Sequence, residues 1–144
     1  MATNGNDRAQ QTPRTELART LLAIADPIRL RMLNLMFAGE LSPEQFVQIL
    51  GVDERTISRH LVLFRESKTV SMRTKRNAKF YTLRAEVECP HIRLLRIAIE
   101  LLADDSVLNA DVRVFYAVHQ LVPQSQQDGE DPHLNPIERL RLAL

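Results

Sequence analysis

Between Asp26 and Ser67 three helix-start signals follow one another so closely that only short helices fit between them. Asp26-Pro27 puts a capping carboxylate before a proline, whose missing amide hydrogen costs nothing at the first helical position. Ser42-Pro43-Glu44-Gln45 repeats the device with a hydroxyl and adds glutamine at N3, the pattern of a capping box. In Gly51-Val52-Asp53 a glycine suited to a left-handed C′ position ends one helix and a carboxylate opens the next. The predicted helices run from Pro27 to Ala38, burying Ile28, Met32, Leu35 and Met36 before Gly39; from Ser42 to Leu50, burying Phe46, Ile49 and Leu50; and from Asp53 to Ser67. The last two, joined through Gly51, have the sequence form of a helix-turn-helix, an arrangement shared with helical hairpins that never touch nucleic acid.

The Asp53 to Ser67 helix is amphipathic in an informative way. Ile57, Leu61 and Phe64 fall on one stripe, while Arg55, Arg59 and Glu66 fall opposite. Its first two turns present Arg55, Thr56, Ser58 and Arg59, where a helix lying in a DNA major groove reaches base edges. A solvated helix with outward arginines would read the same way. The charge distribution separates the two. Asp53 to Arg84 holds nine Lys/Arg against three acids, a balance of +6, whereas the rest holds ten against fifteen, a balance of −5. Positive charge gathered in one segment is the footprint of a polyanion-binding surface.

After Ser67 the period changes. Thr69 to Arg73 and Lys79 to Leu83 alternate as short strands do, and Thr74-Lys75-Arg76-Asn77-Ala78 reads as a basic turn. The product is a hairpin whose tip carries Lys75 and Arg76, placed to meet phosphates or a minor groove; a solvated turn is the competing reading. Upstream, Met1 to Arg14 is polar and reads as a disordered arm, and Thr15 caps a first helix with Leu17, Leu21 and Ile24 at helical spacing. Downstream, Pro90 to Ala103 is apolar on more than one face, with Ile92, Leu95, Ile99 and Leu102 on one stripe and Leu94, Ala98 and Leu101 beside it. Such a helix must be covered on both sides, and in a chain of 144 residues the second cover is expected to be another subunit. Ala110 to Val122 has the same character through Phe115 and Val118. Gln-, Asp- and Pro-rich residues 123–136 read as a linker before a short amphipathic end.

The length suits one domain with extensions. No apolar run approaches a membrane span and the N-terminus lacks a signal-peptide core, so a cytoplasmic protein without membrane partners is expected. One cysteine, Cys89, excludes a disulfide framework and a multi-cysteine zinc site within one chain. No phosphate loop, nucleophile elbow or zinc-hydrolase spacing is present, and the chain is read as a non-enzyme without a cofactor.

Taken together, Ala25-Asp26-Pro27-Ile28-Arg29-Leu30-Arg31-Met32-Leu33, Gly39-Glu40-Leu41-Ser42, Leu50-Gly51-Val52, Thr56-Ile57-Ser58-Arg59-His60-Leu61 and Lys79-Phe80-Tyr81-Thr82-Leu83 resemble the winged helix-turn-helix regulators of the ArsR/SmtB family, over about Glu16 to Ala103. The resemblance implies a mainly α fold with a small β-hairpin, dimerising through its N- and C-terminal helices. It also implies a homodimeric bacterial transcription factor, usually a repressor, reading an inverted repeat in double-stranded DNA. Carried over by position, Thr56, Ser58, Arg59 and His60 belong to the recognition helix, and Arg73, Lys75, Arg76 and Lys79 to the wing; His60 lies close enough to the buried stripe to be a packing residue instead. The expected dimer interface comprises Leu17, Leu21, Leu94, Leu95, Ile99, Leu102, Phe115 and Val118.

The departures matter too. Where many such regulators carry a cysteine pair for thiophilic metals, this chain reads Leu41-Ser42-Pro43-Glu44. Where others hold zinc through Asp-x-His, it reads Asp111-Val112-Arg113, and His119 stands too close to serve as the distant ligand. Cys89 and His91 are the remaining metal candidates, by doubling across a dimer axis. The expected organisation is an arm over 1–14, the DNA-binding domain over 15–103, a dimerisation extension over 104–122, and a linker with a short helix over 123–144. A winged-helix module that binds protein rather than DNA, or a regulator with a metal at Cys89 and His91, are the alternatives.

Overall fold

A computed structural model describes residues 12–84 and 90–119. The order is α1 (Pro13–Ile24), α2 (Pro27–Ala38), α3 (Pro43–Leu50), α4 (Glu54–Glu66), β1 (Val70–Lys75), β2 (Ala78–Leu83), α5 (Pro90–Glu100) and α6 (Ser106–Val118). The arm up to residue 11, Cys89, and the linker and terminal segment from residue 120 lie outside the described residues.

The local start and stop signals act as expected. Asp26 accepts from the amides of Ile28 and Arg29, Ser42 and Gln45 close a complete capping box, and Asp53 accepts from the Thr56 amide. Gly51 ends α3 with φ 66° and ψ 25°, the left-handed geometry that favours glycine. Helix α4 ends without a glycine. Thr69 N–H donates to Phe64 O and Lys68 N–H to Arg65 O, a Schellman closure that holds Lys68 at φ 56°.

Helix α2 is the hub. Met32, Leu33, Leu35 and Met36 are buried on several sides of it, because α1, α3, α5, α6 and β2 all pack against it. Its polar residues tie those neighbours down. Arg31 makes a paired bond to Asp111 of α6, both N–H···O distances 2.8 Å, and Asn34 donates to Leu108 O at 3.2 Å. Gly39 follows α2 in extended backbone, and a methyl group there would stand 2.8 Å from Phe115 Cζ. Glycine is needed here for the close approach of α6, not for its conformation.

Three boundaries differ from the sequence expectation. The first helix is capped by Thr12, whose hydroxyl accepts from the Thr15 amide, so Thr15 lies inside it. Helix α5 ends at Glu100, and residues 101–104 turn the chain. The polar Asp104-Asp105-Ser106 is the start of α6 and not merely an interruption, because Asp105 accepts from Val107 and Leu108. That moves the start of α6 four residues before Ala110.

The larger correction concerns what covers the C-terminal helices. Leu95, Ile99 and Phe115 were expected at a subunit interface; each is 0 or 1% exposed in the single chain, inside the same core as α2 and α3. They have no surface left to give a partner. The buried face of α5 is covered by α1 and α2, and α6 packs across α2 and α3.

Candidate nucleic-acid interface

Helix α4 buries Ile57, Leu61 and Phe64 and exposes Arg55, Ser58, Arg59, Val62 and Arg65. The buried stripe against α3 sets the rotation of the helix, so the exposed side chains share one outward face. Thr56 is half-buried and engaged, its hydroxyl donating to Asp53 Oδ2 at 2.7 Å. That bond, with the amide bond from Thr56, holds the Asp53 carboxyl below its ordinary value. Sequence reasoning missed Val62. It is 53% exposed, three residues beyond Arg59 on the same face, and that spacing was the available signal. Its methyl groups extend the surface with the apolar character that meets a thymine methyl.

The hairpin is a two-residue turn rather than the five-residue turn expected. Val70 pairs with Leu83 and the register runs to Lys75 opposite Ala78, leaving Arg76 and Asn77 at the tip with φ 50° and 63°. Paired left-handed residues make the turn that matches strand twist. Lys75 is therefore the last strand residue, and Lys75, Arg76 and Lys79 are all exposed.

Two links fix this wing to the helix-turn-helix. Leu41, just before α3, exchanges both backbone hydrogen bonds with Tyr81 at 3.0 and 2.8 Å. Arg73 forms a forked pair with Glu40, which holds the Glu40 carboxyl below its ordinary value. Arg73, one of the expected wing contacts, thus has its charge paired within the protein. The result is a basic hairpin held to the helix-turn-helix by backbone bonds as well as charge.

His60 takes the packing position that its place beside the buried stripe allowed. Its ring lies inward at the corner where α1 ends and α2 begins, with Nδ1 3.2 Å from Arg29 Nη1 and Nε2 4.0 Å from Asp26 Oδ1. Arg29 itself is 9% exposed and donates to Ala23 O at 2.8 Å and Leu22 O at 3.0 Å, closing the C-terminal end of α1. Burial lowers the His60 pKa; Arg29 and Arg59 lower it too, against the opposing pull of Asp26.

The remaining histidines have structural partners. His91 Nδ1 lies 3.0 Å from the buried Thr20 hydroxyl and Nε2 3.7 Å from Glu16 Oε2, so this ring knits α5 to α1. His119 Nδ1 donates to Phe115 O at 2.8 Å and its ring packs over Phe115 at 4.0 Å between centroids. The Asp111 carboxylate is occupied by Arg31. Among the described residues no three His, Cys, Asp or Glu side chains gather as metal ligands, and no helix is long and apolar enough to cross a membrane.

Against known proteins, the family model described as bacterial regulatory protein, arsR family, matches residues 26–67, which span α2, α3 and α4. The chain is similar to HlyU from Vibrio cholerae N16961 at 26% identity, over 65% of this chain and 95% of that one, with a TM-score of 0.53. It is similar to the transcriptional repressor BigR from Xylella fastidiosa at 26% identity, over 65% and 89%, with a TM-score of 0.55. The homodimeric winged helix-turn-helix DNA-binding domain of Mb0332 from Mycobacterium bovis shares the fold at 24% identity, over 73% and 92%, with a TM-score of 0.55. No curated protein matches the chain by sequence.

Proposed function

We propose that this chain is an arsR-type winged helix-turn-helix regulator, a homodimeric repressor that reads an inverted repeat in double-stranded DNA. The observation that carries this reading is the placement of Lys75 and Arg76 on a wing bonded through Leu41 and Tyr81 to the same unit that exposes Arg55, Ser58 and Arg59. Arg59 and Arg55 face base edges, with Val62 available to a thymine methyl, while Lys75, Arg76 and Lys79 meet the flanking backbone. The similarity to BigR, named a transcriptional repressor, and to the family model described as a bacterial regulatory protein supports the role.

The proposed dimer surface is narrower than the sequence implied. Leu17 and Leu21 on α1 are each 45% exposed, and α1 packs against α5, where Ile97 is 55% exposed and Leu101, just beyond it, 82%. These side chains, with the half-buried Leu94, form the apolar surface assigned to the second copy, and a dimer of this kind presents two α4 helices to half-sites about one helical turn apart. The signal sensed is not a thiophilic metal at the start of α3, where serine and proline stand.

The test is selection of pooled genomic fragments on the purified full-length protein at physiological salt. A small set of duplexes sharing an inverted repeat is expected, with affinity falling steeply as salt rises because each neutralised phosphate releases a counterion. Fragments without twofold symmetry sink the dimer reading. No retention at all favours a winged helix that binds protein instead.

A further inference from the structure

Arg29 reaches three elements at once: its guanidinium closes the C-terminus of α1 through Ala23 O and Leu22 O, it springs from α2, and its Nη1 meets His60 on α4. A guanidinium has donors and no acceptor, and it stays protonated at any physiological pH. The 3.2 Å contact therefore requires His60 Nδ1 to be the acceptor. That assigns the imidazole as neutral, with its hydrogen on Nε2, the nitrogen turned toward Asp26. A proton on Nδ1 would set donor against donor and cation against cation.

We propose that Arg29 and His60 are positioning residues that hold α4 in its DNA-reading orientation against the α1–α2 corner, and that protonation of His60 releases the joint. The proposal rests on the reading of α4 as the helix that contacts DNA. It extends that reading by giving the helix a mechanical link to α1, which carries part of the proposed dimer surface.

The charged groups facing His60 are Arg29 and Asp26 from α2 and its cap and Arg59 on α4 itself. Only Asp26 favours the imidazolium. Burial and the two arginines oppose it, so the folded pKa lies below the ordinary 6.5. For a histidine with a depressed folded pKa, the stabilisation is present above about 6.5 and is lost as pH falls through the lower, folded value. The released form, freed of Arg29 and of burial, binds the proton more readily, so mild acid shifts the population toward it.

The experiment uses the full chain and two readouts. Nitrogen NMR of the imidazoles, without DNA, is expected to show His60 at neutral pH with its hydrogen on Nε2 and a pKa below that of a free histidine. A hydrogen on Nδ1 overturns the joint. Affinity is then measured by anisotropy for a duplex recovered from pooled genomic fragments, from about pH 7.5 to about pH 5.5. The comparison is with His60→Asn, whose carboxamide oxygen can accept from Arg29 in place of Nδ1 and does not titrate. At the higher pH the two proteins are expected to bind alike. Toward the lower pH the wild type is expected to weaken relative to His60→Asn, by roughly tenfold for each unit separating the held and released pKa values. General gain of positive charge in acid affects both proteins and cancels in the ratio. Parallel pH profiles overturn the positioning role while leaving DNA binding intact. A protein with the expected imidazole pattern that retains no duplex overturns the DNA reading and, with it, this role. Arg29→Met provides a second check: in a folded variant the His60 pKa rises, and an unchanged value overturns the contact.

Discussion

The Arg31–Asp111 pair is the most exacting test of how this chain assembles, because it joins the hub helix to the helix that closes the core. Asp111 is 4% exposed and both its oxygens accept from Arg31, whose side chain keeps about a quarter of its surface in water. The two single substitutions should therefore differ. Arg31→Met strands a buried carboxylate and is expected to cost about 3 kcal/mol, the lower end for breaking a buried pair. Asp111→Leu frees a guanidinium that can swing its head into solvent on its long stem, and is expected to cost about 1.5 kcal/mol. The double variant replaces the pair by apolar side chains of similar size and should lie within about 1 kcal/mol of the wild type, leaving a coupling of roughly 3.5 to 5.5 kcal/mol. Urea unfolding at fixed protein concentration, so that any association is held constant, measures this. With a slope near 1.5 kcal/mol per molar, Arg31→Met should lower the midpoint by roughly 2 M. Additive single losses, or a double variant as unstable as Arg31→Met, would refute the argument that stranding the carboxylate is the cost.

Further outcomes follow from single sites. Gly39→Ala leaves the extended backbone unstrained but drives a methyl to 2.8 Å from Phe115 Cζ, so a loss of about 2 kcal/mol is expected in thermal unfolding, partly recovered by adding Phe115→Leu. Lys68→Gly relieves a non-glycine left-handed residue at the end of α4 and is expected to raise stability by about 1 kcal/mol, read as a shift of the urea midpoint. Asp26→Ala removes the α2 cap and should cost about 1 kcal/mol at neutral pH. Burial pulls the Asp26 carboxyl upward, but the Arg29 amide and charge and the Ile28 amide outweigh it and hold it below 3.8. Its contribution is thus present above about 3.8 and lost as pH falls through the folded value, so the gap between wild type and variant should close in acid. On recovered duplexes, Arg59→Ala should weaken binding and relax base preference by roughly 1 to 3 kcal/mol at one position, whereas Lys75→Ala should lower affinity alike for all sequences; equal effects would break the division into reading helix and wing.

What the sequence by itself determined is what chain neighbours decide. Asp26, Ser42, Gln45 and Asp53 cap amides within three residues of themselves, and Gly51 sets its own φ, so these helix ends in the helix-turn-helix were legible. The stripe of Ile57, Leu61 and Phe64 was legible for the same reason, since periodicity says which residues share a face. Periodicity does not say what covers a face. The apolar residues of α5 and α6 read alike as dimer material, but α5 packs on α1 and α2 and α6 on α2 and α3, which buries Leu95, Ile99 and Phe115 within the chain and leaves Leu17, Leu21, Ile97 and Leu101 outside. The joints that position the site belong to tertiary structure as well. Arg29 meets His60 across 31 residues, Arg73 meets Glu40 across 33, and Arg31 meets Asp111 across 80. Only the folded arrangement brings these polar groups together, and the cost of burying such groups unpaired is what makes each pairing specific. Local pattern thus specified a helix with an arginine face, and long-range packing decided that His60 turns inward while Arg55, Ser58, Arg59 and Val62 remain outside.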